Sequence, residues 1–369
     1  MTTRIVVLGG GYSGQIAARL AARAKDVSVT LVNDRDRFVE RVRLHQFAAG
    51  QDLREHSLAD LVAGTGVRLV VDRATAIDTG DRAVVLAGGE RLPYDTLVYA
   101  LGSRMDLESV PGAAEHAGTV AVAEEAERLR ARLRDGDVVT VVGGGLTGIE
   151  AATELAEQRP ELKVRLVTAG ALGAALSEKG RRHLRRTFTR LGIELREEVN
   201  VGEVRADGVV LAGGEHVPSD VVVWTTGFTV PSLAGEAGLA VDGHGRMVVD
   251  ETMRSTSHPD VYGVGDAAAV RRQNGQELRM ACATGLPAAQ QAIRALLARR
   301  DGKDPKPFRF RYVNQCISLG RRDGLVQFVN ADDEPKEAVL TGRVAALYKE
   351  TVVRAALQVQ RHPSIPTSF

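Results

Sequence analysis

The chain has 369 residues, with 48 Lys and Arg against 47 Asp and Glu for a formal net charge of +1, and 44% of its residues are hydrophobic. That length holds two or three domains with full cores, and the balanced charge excludes the basic excess of a nucleic-acid binder. The two cysteines, Cys282 and Cys316, are far apart and in no C-x-x-C spacing, so no disulfide framework or zinc site is suggested and no metal site is expected.

The first strand, Ile5 to Leu8, begins within four residues of the N-terminus, leaving no room for a leader peptide. No apolar run approaches the roughly 20 residues of a membrane-spanning helix. A cytoplasmic protein is therefore expected, with any membrane contact peripheral. The strand runs into Gly9-Gly10-Gly11-Tyr12-Ser13-Gly14, then an Ala/Leu-rich helix from about Gly14 to Ala24 and a second strand, Val27 to Val32. This is G-x-G-x-x-G in the context that gives it meaning. The glycines let backbone approach a pyrophosphate, and the helix N-terminus offers amide donors and positive dipole. A charged segment, Asp34 to Arg43, follows. A strand near Val67 to Val71 comes next, then alternation from Ala83 to Leu86 followed by Gly88-Gly89, a hairpin turn between two strands. Leu97 to Ala100 is a strand that turns tightly at Gly102-Ser103.

A charged surface helix, Glu124 to Arg134, leads into a second copy of the plan. Val138 to Val142 runs into Gly143-Gly144-Gly145-Leu146-Thr147-Gly148, a helix to about Gln158 and a strand, Lys163 to Val167. A hairpin spans Gly208 to Val217, and Val221 to Gly227 is the counterpart of the segment around Gly102. A whole domain is thus duplicated, and each copy is expected to form a right-handed parallel sheet. Two copies imply two dinucleotides on one chain, with electrons passing between them. Beyond them lie Val261-Tyr262-Gly263-Val264-Gly265-Asp266 and a helix starting near Pro287, with proline in its first turn. Two strands between Phe308 and Val329, around Gly320 to Gly324, and a helix from about Thr341 to Val359 complete the chain.

In this order, over about the first 300 residues, these motifs resemble the two-dinucleotide-binding-domain flavoproteins of the pyridine nucleotide-disulfide oxidoreductase superfamily. The resemblance implies two Rossmann-like domains, the second inserted in the first, plus a small C-terminal α+β domain. Residues 1–107 and 251–305 would bind FAD, 108–250 would bind NADH or NADPH, and 306–369 would form the last domain. It further implies that Gly9, Gly11, Tyr12, Ser13 and Gly14 meet FAD, together with Ala100, Gly102 and Gly265, and that Asp266 bonds the ribitol. Gly143, Gly145, Leu146, Thr147, Gly148 and Gly227 would meet the nicotinamide nucleotide. Pro287 and Ala288 begin the helix that would aim its N-terminus at the flavin, where negative charge builds on reduction.

The ends of the second strands depart from the pattern, which expects an acid for the ribose hydroxyls. The first copy has Asn33 followed by Asp34, and an Asn carbonyl accepts such a bond without charge assistance. The second has Thr168-Ala169-Gly170. Lys179, Arg181 and Arg182 beyond it either meet a 2′-phosphate or form a solvated helix face, so NADH and NADPH both stay open.

Gly-Gly-Gly-Leu-Thr-Gly-Ile-Glu, ending at Glu150, is similar to the string of type II NADH:quinone oxidoreductases and apoptosis-inducing-factor-like reductases. A carboxylate there is favoured by the helix dipole alone. The resemblance instead implies a glutamate near nicotinamide and flavin that orients the nicotinamide or handles protons. Ala289-Gln290 matches the family's Ala-Gln-x-Ala segment, while Arg294 and Ala295 stand where two glutamines often follow; Gln290 and Gln291 are otherwise surface polars. Cys282 reads as a small buried residue.

Electrons would pass from NAD(P)H through FAD to a quinone or similar small acceptor. Two other readings stay open. One is a reductase of a protein carrier such as ferredoxin or rubredoxin, using a basic patch of Arg41, Arg43, Arg321 and Arg322. The other is a redox sensor, and the chain is a monomer or homodimer. In the tail, Leu340, Val344, Leu347, Tyr348, Val352 and Ala355 fall near helical spacing, among Arg343, Lys349 and Arg354. That helix either lies on a membrane or packs on protein.

Overall fold

The Val-rich runs beside each glycine turn form strands buried on both faces, as parallel sheets require. A computed structural model describes residues 2–367. In the first sheet the order is Val261–Gly263, Thr96–Tyr99, Thr3–Leu8, Val27–Asn33, Val67–Val71, all parallel. In the second it is Ala117–Gly118, Val221–Trp224, Val138–Val142, Lys163–Val167, Glu194–Arg196, again all parallel. Each sheet is accompanied by a three-stranded antiparallel meander, over 74–93 and over 201–218. The hairpin expected at Gly208–Val217 thus gains a third strand, Val201–Arg205.

The helices are α1 Tyr12–Ala21, α2 Leu44–Ala48, α3 Leu58–Val62, α4 Ala113–His116, α5 Ala123–Arg132, α6 Leu146–Gln158, α7 Glu178–Arg190, α8 Leu233–Glu236, α9 Cys282–Arg300 and α10 Gly342–Arg361. The expected helix near Pro287 begins five residues earlier, at Cys282, and proline lies in its second turn. Thr284 helps start the helix early, its hydroxyl donating to the carbonyls of Arg279 (2.6 Å) and Ala281 (2.8 Å). The proline costs a single ladder bond close to the end. Downstream, the strands Asn314–Ser318 and Gly324–Val329 pair as expected, and a third, Pro335–Thr341, joins them. Against this small antiparallel sheet α10 packs.

Two core regions set the position of the site. In one, α1 lies on α9 through Ala17, Ala18, Ala21, Ala288, Ala289 and Ala292, all buried. The other joins distant parts of the chain: Leu44, Ala48 and Ala49 from α2 and its exit, Ile149 and Leu155 from α6, and Ile317, Leu319 and Leu325 from the last sheet. Helix α2 comes from the first copy yet is built into the core of the second. Side chains that are remote in sequence therefore meet along this seam.

Candidate functional site

The six residues of each fingerprint divide by physical role. Gly9 and Gly143 have φ of +99° and +120°, which an L side chain rarely adopts. Gly14 and Gly148 are held to glycine by space, because a Cβ on either would overlap the carbonyl oxygen of Gly9 or Gly143. Gly11 and Gly145 have ordinary backbone angles, and a Cβ there would meet nothing within 4 Å. No protein contact explains these middle glycines. The open space above them, at helix starts with no side-chain cap, is what a pyrophosphate would fill. The residues present therefore fit two dinucleotides.

Around the first turn, Asn33 accepts from the Gly10 N–H (2.7 Å) and donates to the Arg35 carbonyl (2.9 Å), which ties its carbonyl to the turn. Asp34 lies beside Arg35 at 3.5 Å. In the second copy Thr168 is the counterpart: a Cβ on Gly144 would overlap its hydroxyl, as one on Gly10 would crowd Asn33. Ala100 closes under Gly9, and Thr225 closes under Gly143. Gly102, Gly227 and Gly265 all have positive φ. Ser13 packs against Gly265 and Gly285, joining the first fingerprint to the start of α9. Asp266 accepts from Ser103 Oγ at 2.7 Å, and Arg41 Nη1 donates to the Ser103 carbonyl at 2.9 Å while lying 3.5 Å from Asp266. Tyr12 stacks edge-on against Phe38, and its buried hydroxyl has no partner among the described residues. Pro287 and Ala288 are buried and Leu146 is exposed, with Thr147 half-buried beside it. Lys179, Arg181 and Arg182 lie on α7, where both arginines face Glu178.

Glu150 is the residue whose setting the sequence could not supply. Its Oε1 lies 3.0 Å from Lys349 Nζ of α10 and accepts from the Ser318 N–H at 2.9 Å. Lys349 also donates to the Cys316 carbonyl at 3.1 Å. Burial alone would raise the carboxyl's pKa, but chiefly Lys349, with the Ser318 N–H, outweighs it and holds the group below its ordinary value. Glu150 raises Lys349 in turn against the opposing effect of burial. The pair is ionised, and it joins the helix after the second fingerprint to the C-terminal unit.

One turn on, Glu154 is fully buried, paired with Arg321 at 3.0 Å and bonded to Gln51. Burial pushes its pKa up to about 7 despite the arginine. Glu157, one turn further, accepts from the Arg321 N–H. His45 of α2 faces Glu150, Lys349, Arg321 and Arg43, and burial drives its pKa down to about 4. His45 and the partner role of Lys349 were missed from sequence. For Lys349 a signal existed, since Ala345, Lys349 and Val353 share one face, and that face is the one turned inward.

Helix α10 is consequently apolar on the outside. Val344, Leu347, Tyr348 and Val352 are 60%, 68%, 38% and 39% exposed. Leu340 is half-buried in the preceding strand and Ala355 is exposed. The patch reaches the sheet, where the Asn314 amide donates to the Tyr348 hydroxyl at 2.8 Å and Asn314 pairs across with the exposed Phe328. No helix among the described residues is long and apolar enough to cross a membrane. Gln290 is buried in α9, its amide donating to the carbonyls of Pro363 (2.9 Å) and Ile365 (2.6 Å), so it fastens the tail. Gln291 donates to the Lys306 carbonyl. Burial pushes the Cys282 thiol up to about 12, consistent with an inert small residue. Of the four arginines weighed as a carrier patch, Arg41, Arg43 and Arg321 point to acids or carbonyls within the protein, and Arg322 is exposed.

The chain is 31% identical over 315 residues to an NADH dehydrogenase-like protein of Mycobacterium tuberculosis, covering 79% of each. It is 26% identical over 371 residues to the demethylphylloquinone reductase of a Synechocystis strain, covering 94% of this chain and 92% of that one. Its fold matches the sulfide:quinone oxidoreductase of Aquifex aeolicus with a TM-score of 0.82 at 20% identity, over 99% and 92% of the two chains. It matches an NDH2 of Plasmodium falciparum in complex with NADH at 0.81 and 13%, over 98% of each. Residues 3–295 match the family model described as pyridine nucleotide-disulphide oxidoreductase, and the chain belongs to that family, an α/β flavoprotein oxidoreductase that uses FAD and NAD(P)H.

Proposed function

We propose that this oxidoreductase delivers electrons from NAD(P)H to a quinone-type acceptor taken up at a membrane surface. The single observation that carries the reading is α10, which brings Lys349 to Glu150 on its inner face while presenting Val344, Leu347, Tyr348 and Val352 to solvent on its outer face. One helix thus lines the buried charged site and offers an apolar surface suited to an interfacial helix. The names of relatives in demethylphylloquinone and ubiquinone reduction support a quinone. The inward attachment of Arg41, Arg43 and Arg321 weighs against a protein-carrier patch at that place.

In this reading the first fingerprint, with Gly9, Gly11, Gly14 and the Tyr12 and Ser13 amides, holds the FAD pyrophosphate. Asn33 and Asp34 lie at its ribose, and Ala100, Gly102, Gly265 and Asp266 border the rest. Gly143, Gly145, Leu146, Thr147, Gly148 and Gly227 receive the nicotinamide nucleotide. FAD held there would supply the redox chemistry, as the hydride acceptor and electron donor of the two half-reactions. Glu150 and Lys349 supply a held carboxylate and a held ammonium beside the acceptor, which takes up protons as it is reduced. Lys349 Nζ is the proton-bearing atom of the pair, and Glu150 fixes it in place.

The test is flotation with anionic phospholipid vesicles alongside turnover with a water-soluble quinone. Leu347→Asp is expected to release the protein from vesicles while leaving soluble turnover within about twofold. Equal vesicle binding by both proteins would remove the membrane from the reading. Absence of quinone turnover in the unaltered protein would remove the quinone.

A further inference from the structure

Within the buried cluster that joins α2, α6 and α10, every titratable member of this group but one is matched by hydrogen bonds. Glu150 is taken by Lys349 and the Ser318 N–H, Lys349 by Glu150 and the Cys316 carbonyl, and Glu154 by Arg321 and Gln51. Arg43 is held by Glu350, Glu40 and Gln46. The exception is His45. It is 5% exposed, and its Nε2 is buried with no hydrogen-bond partner among the described residues. Buried polar atoms are nearly always satisfied, so an orphan of this kind requires a reason.

Its placement is firm. Leu44, Ala48 and Ala49 on either side of it are buried in the core shared with α6 and the last sheet. Phe47 carries the Arg130 guanidinium over its ring at 5.1 Å. Gln51, just past the helix, bonds Glu154. The imidazole therefore cannot swing out to water without dismantling the seam. Nor is it a cation there: with its pKa down at about 4 the ring is neutral at neutral pH, carrying one N–H and one lone pair.

We infer that His45 is the hydrogen-bond donor reserved for the electron acceptor, its Nε2–H meeting a carbonyl oxygen of a quinone-type molecule beside Glu150 and Lys349. This rests on the quinone reading above. A neutral donor suits a neutral carbonyl. A site built to hydrogen-bond a carbonyl leaves that donor unmatched when an acceptor without one is offered, which is a strong source of selectivity. The inference assigns His45 no redox or proton-transfer step, only the contact that binds and orients the acceptor.

The experiment uses the FAD-loaded full chain, His45→Leu and His45→Gln, with menadione as the carbonyl acceptor and ferricyanide as one that needs no carbonyl contact. Calorimetric titration of the oxidised protein with menadione is expected to show binding weakened at least fivefold in His45→Leu and partly restored by the glutamine amide. Reoxidation by menadione should slow tenfold or more in His45→Leu, while reduction by NADH and reoxidation by ferricyanide stay within twofold. Loss of FAD content, a shifted flavin spectrum or an equal loss with ferricyanide would overturn the inference, because the imidazole would then serve the flavin. Unchanged menadione binding and reoxidation in both variants would also overturn it, leaving a packing histidine. If His45→Leu fails to fold, His45→Gln alone decides, since it must still weaken menadione binding. No menadione turnover in the unaltered protein would defeat the quinone reading itself, whereas turnover that is insensitive to His45 defeats this inference alone.

Discussion

The two fingerprint units share their turn glycines position for position but differ in what lies behind the helix. Gly11 and Gly145 match, so Ile16 and Leu20 of α1 stand where Glu150 and Glu154 stand on α6. Ile16 is fully buried in an apolar core beneath α9. Glu150, Glu154 and Glu157, spaced i, i+4, i+7 on one helix face, meet Lys349, Ser318 and Arg321 from the C-terminal unit. The nucleotide turn is set by local backbone and steric demands, whereas the back of the helix answers to whatever packs on it. One copy became a closed support, and the other became the wall of a polar site.

The sharpest way to break this comparison is to block one turn at a time. Gly11→Val is expected to yield folded protein without FAD, and Gly145→Val to keep about one FAD per chain yet lose rapid bleaching by NAD(P)H. Absorbance after gel filtration and stopped-flow spectroscopy read the two outcomes. If Gly145→Val loses FAD while Gly11→Val keeps it, the order of the two sites is reversed.

The asymmetry behind the helices comes next. Glu150→Gln should leave FAD content intact and slow one half-reaction at least about tenfold, roughly 1.4 kcal/mol of transition-state stabilisation. A carboxylate placed only for the helix dipole would be worth about 0.3–1 kcal/mol of stability and would leave both half-reactions alone. Ile16→Val, the matching position in the first copy, should cost about 1 kcal/mol of stability by lost packing and leave the half-reactions near normal.

A second clamp on the same unit predicts a pH effect. Asp323 bonds His183 at 2.9 Å, Thr187 at 3.0 Å and Arg190 at 2.8 Å on α7. Burial works to raise it, yet His183 and the hydrogen bonds prevail and hold it down at about 2, from 3.8. Because the folded value is depressed, the stabilisation, about 2 kcal/mol, is fully present above pH ~4 and is lost as pH falls through about 2. Asp323→Asn should therefore lower the melting temperature at pH 7 and show a shallower acid limb in thermal scans between about pH 5 and pH 2. Parallel acid limbs would show that the carboxylate does not couple the two units.

The smallest effect is expected at the strand ends. Asn33→Asp keeps the acceptor for the Gly10 N–H but removes the donor to the Arg35 carbonyl. A loss of about 1 kcal/mol of stability is expected, with FAD affinity changed by less than about tenfold. A larger gain in FAD affinity would show that the side chain reaches the ribose despite its bond to the turn.

Much of the fold was legible because its signals are local. Strand, glycine turn and helix lie within about 30 residues, and a positive φ at Gly9 or the contact of Gly14 with the Gly9 carbonyl is a demand of neighbouring backbone. The duplication followed from repeating that pattern. Cys282, by contrast, starts α9 earlier than Pro287 suggests because a threonine hydroxyl and two carbonyls close the first turn, a geometry that proline preference alone does not reveal. Tertiary structure also decided which way α10 turns. Its apolar spacing left membrane docking and packing on protein both open; a buried carboxylate 199 residues away draws Lys349 inside, and Val344, Leu347, Tyr348 and Val352 are left outside. The partner of Glu150, the orphaned nitrogen of His45 and the setting of Glu154 all arise where segments remote in sequence meet. Backbone conformation and short-range sterics are properties of a few consecutive residues, so the sequence by itself determined the two nucleotide cradles. Desolvation and ion pairing depend on what the rest of the chain brings near, and only the folded molecule could decide those.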